Sequence, residues 1–236
     1  MTTTERPSSV AAAAADVIRE AACIVVIDRD AGEPRVLMGR RLETQVFLPN
    51  KWVFPGGRVD QDDHAFAAAF TTDYTPANIA PALRPFALAA VRELFEETGY
   101  LVGHPRGPDL ALPQSWHPFA SSGHLPAPVH LTPLARAITP PGRVRRYDTW
   151  FFTAPRSAMA AGHGHADGEL LDLDWFTLTA ARKLDLPNIT RLVLDDVATA
   201  LDDCPDTAAG KLPFYYQDDR GFQRALIGCA EPHSPP

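Results

Sequence analysis

An α/β fold is predicted by three observations on the 236-residue sequence. Short runs of β-branched and aromatic residues recur at Ala21–Ile27, Val36–Met38, Trp52–Phe54, Leu131–Thr139 and Tyr147–Thr153. Two other stretches place apolar residues at helical spacing, one through Leu88, Val91, Leu94 and Phe95 and the other through Ile189, Leu192, Val193, Val197 and Leu201. The composition, 45% hydrophobic, supplies enough apolar material for one large domain or two small ones.

Charge and cysteine usage narrow the function classes. A net charge of -7 and a pI near 5.6 argue against a chain-wide electrostatic footprint for nucleic acid or an anionic membrane. A phosphate-bearing ligand would therefore need local arginines or a metal. Cys23, Cys204 and Cys229 are far apart and lack zinc-like spacing, which predicts reduced thiols and a cytoplasmic location. No stretch reads as a basic-then-apolar leader, and none reaches transmembrane length.

In chain order, residues 1–17 lack a hydrophobic pattern and read as a tail. A domain over 18–202 begins with two strands joined by the turn at Asp28 to Gly32, after which Arg40 and Arg41 are placed either to reach a phosphate or to stay solvated. Trp52–Phe54 runs into Pro55-Gly56-Gly57, where the missing side chains allow a tight turn or a close approach to a ligand. An Ala-rich segment at about 62–85, with Pro76, Pro81 and Pro85, carries a short helix over His64–Phe70 before a helix restarts near Pro85. From Gly99 to about Val129 the sequence reads as irregular. Arg143, Arg145 and Arg146 form a basic cluster before the strand at Tyr147, with Arg146 as a candidate phosphate anchor. Gly162 to Glu169 reads as a polar loop whose His163 and His165 have no partners for a zinc set, followed by Leu170–Phe176. Pro187-Asn188 starts the last helix. Residues 203–236 read as a turn-rich extension with a short strand at Phe214–Tyr216.

The densest chemistry lies in Arg92-Glu93-Leu94-Phe95-Glu96-Glu97-Thr98-Gly99. On a helix Glu93, Glu96 and Glu97 share one face, opposite the apolar stripe. Like charges at this spacing oppose helix formation, and glutamates near a C-terminus oppose the helix dipole, so compensation is required. Arg92 supplies part of it, and a hard divalent cation suits convergent carboxylate oxygens. Gly99 ends the helix in the left-handed conformation.

Gly57 followed by Arg92-Glu93-Leu94-x-Glu96-Glu97-x-Gly99-Tyr100 resembles the Nudix box of the Nudix hydrolases, Gly-x5-Glu-x7-Arg-Glu-U-x-Glu-Glu-x-Gly-U, where U is apolar. The second half matches at each specified position. Gly57 and Arg92 are 35 positions apart rather than 14, an interruption of 21 residues, and continuing the first half without a gap puts Asp63 at the place of the first glutamate. The inserted box, with Phe47-Leu48-Pro49 and Trp52 to Asp60 ahead of it, is similar to the branch that includes the peroxisomal coenzyme A diphosphatase and its bacterial relatives.

The resemblance implies an α/β/α sandwich with a mixed sheet and a loop-helix-loop catalytic motif. It implies hydrolysis of a phosphoanhydride in a nucleoside diphosphate linked to another moiety, with Mg²⁺ or Mn²⁺ held by Glu93, Glu96 and Glu97. Arg92 would orient the cluster, Gly56 and Gly57 would approach the substrate, and either Glu93 or Glu169 would be the general base. Coenzyme A or an acyl-coenzyme A leads as substrate, with ADP-ribose or NADH as the alternative and a non-catalytic ligand sensor as the rival from another class. Homodimers are common in the family.

Overall fold

A computed structural model describes residues 17–30, 32–69, 79–105, 112–163, 166–202 and 210–228. The strand β1 (Ile18–Asp28) organises it, because its two faces feed two separate cores. Ala22, Ile24 and Val26 belong to one core, and Val25 and Ile27 to the other. This is the period-2 geometry of a strand buried on both sides.

Around β1 lie β2 (Arg35–Arg41), β3 (Trp52–Val53) and β4 (Gly56–Arg58). Helix α1 (Gln61–Ala69) and helix α2 (Arg84–Thr98) follow. Next come β5 (Tyr100–Pro105), helix α3 (His117–Ser121), β6 (His124–Pro126), β7 (Thr132–Ile138), β8 (Arg146–Pro155) and β9 (Met159–His163). The chain continues through β10 (Leu170–Thr177), α4 (Leu178–Ala181), α5 (Asn188–Leu201), β11 (Lys211–Asp218) and β12 (Gly221–Gly228).

The main sheet has nine strands in the order β10-β2-β1-β8-β7-β11-β12, with β3 added to β2 and β4 to β1. It is mixed: β1 runs parallel to β8 and β7 parallel to β11, while the other pairs are antiparallel. Helix α2 packs Leu88, Val91 and Leu94 into the first core, and α5 packs Val193, Leu194 and Val197 into the second. The sheet therefore lies between helices, as an α/β/α sandwich. A small sheet, β6-β5-β9, flanks it.

Four expectations need correction. The first helix starts at Gln61 rather than His64, because the Asp63 carboxylate accepts from the Asp60 N–H at 2.8 Å and closes half of a capping box ahead of it. Its expected end at Phe70 lies outside the described residues. The stretch after Gly99 is not irregular throughout: β5 and β6 pair there, and Trp116 and Phe119 are buried. The loop expected from Gly162 begins inside a strand, since β9 runs to His163, and His165 lies outside the described residues. Residues 211–228, set apart as an extension, form an antiparallel hairpin that joins the main sheet through Phe214 and Tyr215 of β11 beside β7. Leu212, Phe214 and Ile227 of that hairpin belong to the first core.

Candidate active site

Helix α2 begins with proline in its first turn, where no N–H partner is needed, and ends at Gly99 with φ 74°, its N–H bonded to the Phe95 carbonyl at 2.8 Å. Between those ends the apolar stripe faces the core, and the opposite face meets β4. Strand β4 is held against β1 by the pairs Ala22 with Gly57 and Cys23 with Gly56. Glycine is required at Gly56, where a Cβ would stand 2.4 Å from the Ala22 carbonyl oxygen; a Cβ on Gly57 would stand 2.4 Å from the Glu93 carboxyl carbon, so that Glu93 would have to move.

Arg92 is buried and uses its whole guanidinium. Its Nε and one terminal nitrogen donate to the two oxygens of Asp63 at 3.0 and 2.8 Å, and that nitrogen also donates to the Arg58 carbonyl at 2.9 Å. The other terminal nitrogen donates to Glu93 Oε1 at 2.9 Å and Glu96 Oε2 at 2.8 Å. Glu97 Oε2 accepts from the Gly56 N–H at 2.8 Å. Each glutamate thus anchors one oxygen in the protein.

Burial raises the proton affinity of all three glutamates, against the pull of the Arg92 guanidinium on Glu93 and Glu96. Burial raises Glu93 to about 8, with Arg92 opposing and Glu96 adding to the rise. Glu97 is raised well above the carboxylate range by burial and then by Glu93, and Glu96 is raised by burial despite Arg92. Burial, then Glu97 and Glu93, pushes the Cys23 thiol up to about 12, which makes it inert as a nucleophile.

The donor set decides whether a cation fits. Among the described residues no three acidic, His or Cys side chains close into a ready-made metal cage. Mg²⁺ does not need one, because it retains waters and takes one or two carboxylates together with substrate phosphates. Glu93, Glu96 and Glu97 offer hard oxygen donors from one face of α2, and a cation can take the place of the protons that burial favours there, so they fit that requirement.

No family model matches the chain. A solved Nudix hydrolase from Alicyclobacillus acidocaldarius superposes with a TM-score of 0.63 at 27% identity, covering 82% of this chain and 95% of that one. The provisionally named nudix hydrolase 7 of Caenorhabditis elegans is 43% identical over 67 residues, which is 28% of this chain and 17% of that relative's length. The chain thus resembles the Nudix hydrolases in fold and, over part of its length, in sequence. The Nudix domain of Shewanella oneidensis NrtR, solved with ADP ribose, has a TM-score of 0.48 at 13% identity, over 80% of this chain and 92% of that one.

Within this Nudix fold the expected site residues separate into two groups. Arg92, Glu93, Glu96, Glu97, Gly56 and Gly57 meet at the junction of β4 and α2. Arg41 donates to the Phe47 carbonyl at 3.0 Å, and its charge is near enough to lower the proton affinity of Glu97. Arg40 is turned outward, paired with Asp172 at 2.5 Å and bonded to Asn50 at 3.2 Å. Arg146 donates to the Thr139 carbonyl at 3.0 Å, beside the turn that precedes β8. Glu169 is exposed and accepts from Gln45 at 3.2 Å.

Three residues were not singled out from the sequence or were left undecided there. The Asp167 N–H donates to the Glu96 carbonyl at 2.7 Å, and its charge raises the proton affinity of both Glu96 and Glu97. The only local signal was an acid two positions before Glu169. Asp63 is fully buried, and its oxygens accept from Arg92, the Asp60 N–H and the Trp116 indole. Trp116 lies in a stretch whose sequence gave no periodicity to mark it.

Proposed function

We propose that the protein is a metal-dependent pyrophosphohydrolase acting on a nucleoside diphosphate linked to a further moiety. The observation that carries this reading is the division of labour at the acidic face. Glu93, Glu96 and Glu97 each tie one oxygen to Arg92 or to the Gly56 N–H, and so present three fixed carboxylates at one place.

Glu93, Glu96 and Glu97 would hold Mg²⁺ or Mn²⁺, which when bound neutralises phosphate charge and lowers the pKa of a coordinated water. The protein's own contribution is positioning and electrostatics. Arg92 holds Glu93 and Glu96 in fixed rotamers, and the Gly56 N–H does the same for Glu97. Gly56 and Gly57 let β4 lie close against β1 and the Glu93 carboxylate, and Arg41 adds positive charge that acts on Glu97. In the hydrolysis a water oxygen bonds to phosphorus, the bridging P–O bond breaks, and the water gives up a proton to a carboxylate. Glu93 suits that role better than Glu169, because Glu93 lies against Gly57 and Glu169 is held on the surface by Gln45.

Coenzyme A or an acyl-coenzyme A is the substrate we favour. Its support is the inserted-box resemblance, together with an insertion whose first residues, in α1, join the site through Asp63. The test is product analysis with Mg²⁺ or Mn²⁺ over coenzyme A, an acyl-coenzyme A, NADH and ADP-ribose. Release of 3′,5′-ADP with a phosphopantetheine is the expected result. AMP from ADP-ribose or NADH alone would redirect the substrate, and binding without hydrolysis would mark a ligand sensor.

A further inference from the structure

We propose that Trp116 is a positioning residue for the acidic cluster, acting through Asp63 and Arg92 from a segment outside the box. This rests on the metal-site reading above. The Trp116 ring is fully buried, and its Nε1–H donates to Asp63 Oδ1 at 3.1 Å. The same oxygen accepts Arg92 Nε at 3.0 Å, while Oδ2 accepts an Arg92 terminal nitrogen and the Asp60 N–H, both at 2.8 Å. Asp63 is therefore saturated by four donors. It serves to fix the plane of the guanidinium, and the far side of that plane fixes Glu93 Oε1 and Glu96 Oε2.

The donor itself is held firmly. Trp116 makes edge contacts with Phe66 of α1 at 4.9 Å and Phe119 of α3 at 5.6 Å, and Phe119 meets Phe95 of α2 at 5.2 Å. The neighbouring Ser115 N–H donates to Asp62 at 2.9 Å, so two consecutive acids of the insertion both grip the 114–116 turn. This grip ties residues 24 positions beyond Arg92 to the metal-binding face. A core tryptophan needs only some partner for its indole N–H. Here the partner is the carboxylate that orients the cluster.

Trp116→Phe keeps an aromatic ring and deletes the N–H. Site-specific replacement by benzothienylalanine, which keeps the bicyclic shape and exchanges N–H for sulfur, provides a second variant should the first fold poorly. Two readouts are taken. In metal-free protein, solvent exchange of the Arg92 Nε–H is followed by NMR, and Mn²⁺ affinity is measured by titration. Loss of one hydrogen bond to a charged group predicts exchange faster by about tenfold and Mn²⁺ binding weaker by a similar factor. In an Asp63→Asn background, the Trp116 change should add little to either. Unchanged Arg92 exchange in a folded variant, or additive effects of the two substitutions, would overturn the inference. Because exchange is read without metal, failure of the wild-type protein to bind Mn²⁺ would count against the metal reading alone.

Discussion

At the scale of single residues, the site depends on what is missing as much as on what is present. Gly57 has no side chain because the Glu93 carboxylate occupies the place of its Cβ, 2.4 Å away. Gly57→Ala must displace Glu93 or strand β4. We expect at least a tenfold fall in kcat/KM, with a loss of roughly 1–3 kcal/mol of stability from overpacking. Steady-state kinetics and denaturant unfolding check the two parts, and an unimpaired kcat/KM would refute the close approach. The residues legible from sequence were those whose relation is local. Arg92, Glu93, Glu96 and Glu97 lie within six positions, so helical spacing alone puts them together. Asp63 was visible only as a register, since the sequence could not show that the insertion leaves it under Arg92. Asp167 and Trp116 reach the site through tertiary contacts that no local pattern encodes.

At the scale of elements, the C-terminal hairpin was the largest departure from the sequence reading. Pro213 and the turn at Asp219-Arg220 punctuate β11 and β12, and parallel pairing with β7 is a contact across more than 70 positions. Strand β5 was hidden similarly by Gly103 and Pro105. The hairpin is fastened to α5 by Tyr215, whose hydroxyl meets both oxygens of the buried Asp196 at 2.9 and 3.0 Å. Burial pushes Asp196 up to about 6, with Tyr215 and Arg224 opposing. The native state therefore binds this proton more tightly than the unfolded chain, and the group's contribution to stability falls as pH rises from about 4 to about 6. Tyr215→Phe removes the donor on which the charged form depends. It should cost about 1–3 kcal/mol at pH 8 and less at pH 5, as read by urea unfolding at the two pH values. An equal cost at both would show that Asp196 is not ionised against Tyr215.

At the scale of the whole molecule, the sandwich brings three acids, Glu97 buried and Glu93 and Glu96 partly so, to one end of a helix, and overall stability should register that cost. Glu93 is held up to about 8 by burial, above its value in an unfolded chain. The folded protein keeps a proton there that the unfolded chain releases, so the metal-free protein loses stability as pH rises from about 4.5 to about 8. A divalent cation takes the place of that proton. The gain in Tm on adding Mg²⁺ or Mn²⁺ should therefore be larger at pH 8 than at pH 6. Scanning calorimetry would show it, and a gain independent of pH would mean that the metal does not bind at these carboxylates. The α/β class and the two principal helices were readable because binary patterning is local. The order of the strands was not, because a run such as Ala21–Ile27 carries the same pattern whichever strands flank it.

The central claim is that the carboxylates of α2 perform metal-dependent hydrolysis, and Glu97→Gln tests it most directly. The amide can still accept from the Gly56 N–H and matches the shape of the protonated acid that burial favours, so the Tm of the metal-free protein should be unchanged. Turnover of the preferred diphosphate substrate with saturating Mg²⁺ should fall by a factor on the order of 10² or more. A folded Glu97→Gln protein with full Mg²⁺- or Mn²⁺-dependent turnover would contradict the account.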